Sequence, residues 1–142
     1  MENPREWTIG AHVCRFEPPD LLRLEFRGRV SLEETVQLLE LFRELGSARP
    51  FFLVTDVTGV PKLNAETQRY LGEHAEPAWL RASVVVGASL FHRAAARGVF
   101  LAAWLTGRAD KSEVSKVHFA STPAEAAELV VQLRARQGGK VA

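Results

Sequence analysis

One cysteine, Cys14, is all the thiol chemistry these 142 residues hold. No internal disulfide can form, which suits a reducing compartment and makes a cytoplasmic protein the expectation. Long apolar runs are missing as well, and nothing approaches the roughly 18 residues that span a bilayer. The opening MENPREWTIG has no basic region followed by an apolar run, so no secretory leader is expected. Excess charge is absent too, since 18 Lys+Arg against 17 Asp+Glu leave a net +1. So close a balance gives no global pull towards nucleic acid, and none is expected as a partner. The four histidines, His12, His74, His92 and His118, stand apart with no Cys, Asp or Glu at ligand spacing, so no metal is expected. Gly-x-Gly-x-x-Gly, phosphate-loop and nucleophile-elbow sequences do not occur. These absences predict no cofactor and no catalytic residue.

What is present suits an ordinary α/β domain. A content of 46% hydrophobic and 25% charged residues, at this length, predicts one domain that buries a core without cross-links. Its organising stretch is FFLVTDVTGV, Phe51 to Val60. The run Phe51-Phe52-Leu53-Val54 is apolar on both faces, the pattern of a central strand buried on both sides. Pro50 and the Gly59-Val60-Pro61 segment punctuate its ends. Ligand and partner sites in open α/β sheets gather at the carboxyl ends of strands, which directs attention to the loop Asp56–Asn64.

Before that strand, Trp7–Phe16 alternates weakly and Leu21–Val30 cleanly, joined by the turn sequence Glu17-Pro18-Pro19-Asp20. Together they predict a two-stranded hairpin with one wet face. Ser31-Leu32-Glu33-Glu34 is a capping box, opening a helix with Leu32, Val36, Leu39, Phe42 and Leu45 inward and a stop at Gly46. Asn64 caps a second helix, Ala65 to about Ala75. Arg81–Ser89 reads as another buried strand, Leu90 to about Arg108 as a long helix, and Ser115–Ala120 as a short strand. Thr122-Pro123-Ala124-Glu125 caps the last helix, whose inner stripe is Ala126, Leu129, Val130 and Leu133. Residues 1–6 and 138–142 are expected to be loose. The expected fold is one α/β domain with a mixed sheet in the order β-β-α-β-α-β-α-β-α.

That order resembles the STAS fold, specifically the SpoIIAA-like family of small domains related to bacterial anti-sigma-factor antagonists. Asp56-Val57-Thr58-Gly59-Val60 is similar to the Asp-x-Ser/Thr-Gly-Val that follows the family's central strand. Phe119-Ala120-Ser121-Thr122-Pro123-Ala124-Glu125-Ala126 is similar to the opening of its last helix. The resemblance implies a regulatory, protein-binding module without catalysis. Antagonists carry a phosphorylated serine at the start of the second helix. Here Asn64-Ala65-Glu66 occupies that run, so Ala65 offers no hydroxyl, leaving Thr58 or Thr67 as alternative acceptors. The family is also similar in shape to lipid carriers of the Sec14 class. This implies the second expectation, a hydrophobic-ligand carrier or membrane-associating domain that uses the third helix as lid or anchor.

Two stretches could carry function. Asp56 and Thr58 read either as an acid with a nucleophile or, the preferred reading, as a turn bonded to its own backbone, with Gly59 and Asn64 completing the loop. In the third helix, projection at 100° per residue puts Phe91, Ala95, Gly98 and Ala102 together, a small-residue side expected to lie on the sheet. Arg93, Arg97, Phe100, Trp104 and Arg108 fall opposite, flanked by Leu90 and Leu101. No acid interrupts Ala82–Ala109. Arginine beside exposed Trp and Phe is the composition of interface hot spots and of helices at anionic headgroups. The alternative is a helix buried on more than one side, its arginines extending to solvent. The partner expected is a protein, a second copy of the chain, a membrane surface or a hydrophobic ligand.

Overall fold

Six strands and four helices build the domain in a computed structural model that describes residues 4–110 and 116–139, the side chains of 138 and 139 excepted. Three strands come first: β1 (Arg5–Ile9), β2 (His12–Glu17) and β3 (Leu21–Glu25). The expected first strand, Trp7–Phe16, is therefore two. Gly10 adopts φ +62° at the first centre of a two-residue turn, and Ile9 pairs with His12 across it. Apolar alternation runs straight through such a tight hairpin, so periodicity alone could not reveal the break. Arg5 and Glu6 belong to β1 and are not loose, while Met1–Asn3 lie outside the described residues. β3 stops at Glu25, short of Val30, because Gly28 at φ +87° turns the chain away.

The remaining elements alternate. They are α1 (Leu32–Ala48), β4 (Phe51–Asp56), α2 (Ala65–His74), a 3₁₀ turn (Pro77–Trp79), β5 (Leu80–Val86), α3 (Leu90–Leu105), β6 (Val117–Ala120) and α4 (Pro123–Gly139). Ser31 makes the expected capping box with Glu34, and Asn64 accepts from the Thr67 amide. α1 runs past the expected stop at Gly46. A Cβ there would meet the Trp79 Cβ at 2.4 Å, so this glycine admits a tryptophan and does not end the helix. α3 ends sooner than expected, at Leu105, with Gly107 at φ +76° just beyond its cap. Ser115 and Lys140–Ala142 fall outside the described residues, and Gly138 and Gly139 belong to α4.

Strand order in the sheet follows the sequence. β1, β2 and β3 pair antiparallel, and β3 to β6 pair parallel. The crossovers α1, α2 and α3 share one face, and α4 lies on the other. β4 is buried on both, with Phe51 and Leu53 under α1 and Phe52 and Val54 under Ala126, Val130 and Leu133 of α4. α4 alone cannot cover six strands, so Arg15 and Arg23 sit opposite each other on a wet β2–β3 surface. No described helix is long and apolar enough to cross a membrane.

An ion cluster around one buried carboxylate ties the two halves of the sheet. Asp20, 4% exposed, accepts from Arg81 at 2.8 Å and from Arg134 at 2.6 and 3.1 Å. Both guanidiniums stack on Phe52, at 4.5 and 5.6 Å, and Gln137 accepts from Arg81 at 2.8 Å. The turn before β3 is thereby joined to β5 and α4. Asp20→Ala leaves two cations on an apolar ring. Because both arginines are partly exposed, we expect a loss of about 2 kcal/mol in urea unfolding, below the roughly 3–5 kcal/mol of a fully buried pair.

Candidate functional site

The Asp56–Asn64 loop leaves the carboxyl end of β4 as expected. The Asp56 carboxylate accepts from the Thr58 amide at 2.9 Å, and Gly59 takes φ +74°. This is a side-chain-supported turn. Thr58 is exposed, whereas Thr67 is fully buried. The Thr67 hydroxyl has no hydrogen-bond partner among the described residues, and a kinase could not reach it in the folded chain. Thr67 is thereby removed as a phosphate acceptor.

The third helix needs larger corrections. Its inner side is Ala96, Val99, Phe100 and Ala103, with Phe100 only 6% exposed. Phe91 is 59% exposed, a Cβ on Gly98 would meet nothing within 4 Å, and Ala102 faces Gly72 of α2. The small-residue side therefore lies towards α2 and solvent, away from the sheet. Helical projection groups residues correctly but cannot say which group faces inward when nearly every side is apolar.

Nor do the expected surface residues act together. Arg93 and Arg97 each lie 5.0 Å from the Phe119 ring of β6. Arg108 donates to the Ala75 carbonyl at 2.7 Å and to the Gly72 carbonyl, filling acceptors that the end of α2 leaves open. Trp104 and Leu101 are exposed, as expected, and beside them stand Leu90 at 85% and Leu105 at 70%. The outer face of α3 is thus an apolar strip with cations at its flanks.

Beneath α2 and α3 lies a cavity of about 170 Å³. Its walls are almost wholly apolar, drawn from Leu24 and Leu53 of the sheet, Leu39 and Phe42 of α1, Leu71 of α2, and Phe100 of α3. Trp79 and Pro77 also line it, and Glu76, Thr35, Thr55 and Ser83 are the polar residues of its wall. A second void of about 140 Å³ shares Thr55, Leu63, Leu71, Ala96 and Val99 with it. The sequence pattern marks Leu24, Leu39, Phe42 and Leu53 as core but puts Phe100 on the exposed face, and no periodic signal distinguishes a filled core from a hollow one.

His12 was also missed as a partner. It is 1% exposed, its Nδ1 accepts from the Arg27 amide at 3.0 Å, and its Nε2 donates to Glu34 at 3.1 Å. A buried histidine in the register of Cys14 and Phe16 was the available signal. Ser31 completes the group, its hydroxyl accepting from the Glu34 amide at 3.0 Å. That hydroxyl serves the helix cap and is not held by His12, so the trio is a structural clasp. Cys14 is fully buried, which pushes its thiol up to about 11 and keeps it unreactive. No group of three His, Cys, Asp or Glu among the described residues could hold a metal ion.

No protein-family model matches this chain, and no curated protein matches its sequence.

Two measurements follow from this geometry. Phe100→Ala removes a cavity wall and is expected to cost about 3 kcal/mol, whereas Trp104→Ala stays within about 1 kcal/mol, read by urea unfolding. The Ser31 amide, followed by His12, holds the Glu34 carboxyl below its ordinary 4.5. Its contribution is therefore complete above that value and is lost as pH falls through the folded pKa. Between about pH 6 and about pH 3, Glu34→Gln should show a shallower loss of stability than wild type in urea titrations.

Proposed function

We propose that the chain is a non-catalytic binding module whose ligand is a small apolar molecule held beneath α2 and α3. The carrying observation is the void of about 170 Å³ walled by apolar side chains. Protein interiors pack as densely as organic crystals, and cavities of this size are rare in them. This one opens partly to solvent, so a small apolar molecule has a way in. An occupant gains dispersion contacts with apolar walls that the chain leaves unfilled. Similar apolar cavities of about 150 Å³ stay dry and admit a benzene-sized molecule, so the ligand class is one ring or a short chain. The resemblance to STAS and SpoIIAA-like domains, and through them to Sec14-type carriers, supports the same reading.

A regulatory role through a protein partner is the second reading. Thr58, exposed at the carboxyl end of the sheet, favours it as the remaining phosphate acceptor.

Thermal unfolding with benzene, p-xylene or 1-octanol tests the first reading. Binding to the folded state alone should raise Tm with ligand concentration. Ala96→Leu, which grows a side chain from α3 into the void, should abolish that shift and itself add about 1 kcal/mol. Leu71→Phe repeats the test from α2. Wild-type Tm unmoved by all three probes would refute the ligand reading.

A further inference from the structure

We infer that the outer face of α3 is a docking surface for an anionic lipid bilayer. Of the six large apolar side chains that stand exposed among the described residues, five belong to this one helix: Leu90, Phe91, Leu101, Trp104 and Leu105. At 3.6 residues per turn, the three leucines fall within an arc of about 60°, along a helix of about 24 Å. Trp104 lies on one flank of that arc with Arg93 and Arg97. Phe91 lies on the other, its ring 4.3 Å from the Lys62 amine.

Charge selects the occupant. The helix carries no acid, and its flanks carry Lys62, Arg93 and Arg97. Across the α2–α3 cleft, Arg69 and Glu73 both line the wall and cancel in net charge. A second copy seated face to face would bring like charges together, at a cost that an anionic surface turns into attraction. Shape favours lipid over a protein groove. Leu90, Leu101, Trp104 and Leu105 project from a convex helix, and acyl chains deform around such projections where a rigid partner would need matching pockets. An amphipathic helix lying in the interface plane has this composition, leucine and aromatics inward with arginine and lysine at the headgroups. The strip stands apart from the cavity, so the inference goes beyond the ligand reading and does not depend on it. It would nonetheless place the cavity under the bilayer surface, where apolar molecules concentrate.

Flotation of the full chain with phosphatidylcholine vesicles, with and without on the order of 30 mol% phosphatidylglycerol, tests this. Wild type should float with the anionic vesicles and stay down with the neutral ones. Leu90→Ser combined with Leu105→Ser should weaken anionic-vesicle binding more than about tenfold. Both positions are open to solvent, and an unchanged far-UV circular dichroism spectrum verifies folding. Lys62→Glu with Arg97→Glu should remove the preference for anionic lipid. Ala96→Leu should float as wild type does, which separates this test from the cavity test. Failure to float, equal binding to both vesicles, or retention of the leucine variant would overturn the proposal. So would capture by immobilised polyglutamate in place of vesicles, which assigns an acidic protein. A dimer that the leucine variant dissociates in gel filtration would assign a second copy.

Discussion

β4 must be kept dry on both faces, and the rest of the domain follows from that constraint. Phe51, Phe52, Leu53 and Val54 leave no side of the strand that water can touch. A strand of this kind needs parallel neighbours and helices above and below. β3 and β5 supply the neighbours, α1 covers Phe51 and Leu53, and α4 covers Phe52 and Val54. Asp20, Arg81 and Arg134 then clamp α4 down over the Phe52 ring. The antiparallel arm β1–β3 extends beyond the reach of α4, so its second face carries Arg15, Arg23 and Glu25 into solvent.

The helical layer over β4 and β5 is built differently on its two sides. α1 meets the sheet with Leu38, Leu41 and Leu45, and its far end admits Trp79 through Gly46. α3 meets it mainly through Ala96, Val99, Phe100 and Ala103, side chains too small on average to fill the space α1 leaves. Apart from Phe100, its larger apolar residues point outward. The helix is held at its ends: His92 lies 3.4 Å from the Pro61 carbonyl, and Arg108 caps α2. A helix tethered at its ends over a void, with leucines facing out, has its apolar surface distributed against the needs of the folded monomer. Hollow inside and greasy outside are two aspects of one packing choice, and the ligand and bilayer proposals each start from one of them.

Loop and helix show different limits of legibility. The Asp56 turn, the Ser31 and Asn64 caps and the buried β4 were readable because each depends on residues within a few positions of one another. Phe100 and Arg108 are misplaced by local pattern because their surroundings depend on α2, some 30 residues away in the chain, where Gly72 lies against Ala102 and the Gly72 and Ala75 carbonyls accept from Arg108. In the sequence Asp20 reads only as a turn residue, since its Arg134 partner lies 114 positions later.

By itself, the sequence determined the strand and helix alphabet from β3 onward, the caps, the parallel core around β4 and the near-neutral charge. These are encoded in local periodicity and in side-chain-to-backbone bonds. Only the tertiary structure decided that Trp7–Phe16 folds back on itself at Gly10, that Thr67 is closed off while Thr58 is open, and that α3 turns Phe100 inward and Leu90 outward. It alone decided that the layer between α3 and the sheet is not filled. The physical reason is that volume is a property of facing surfaces. Whether alanines and leucines close a core or leave a cavity depends on how far apart their elements stand, and that distance is set by contacts remote in the chain.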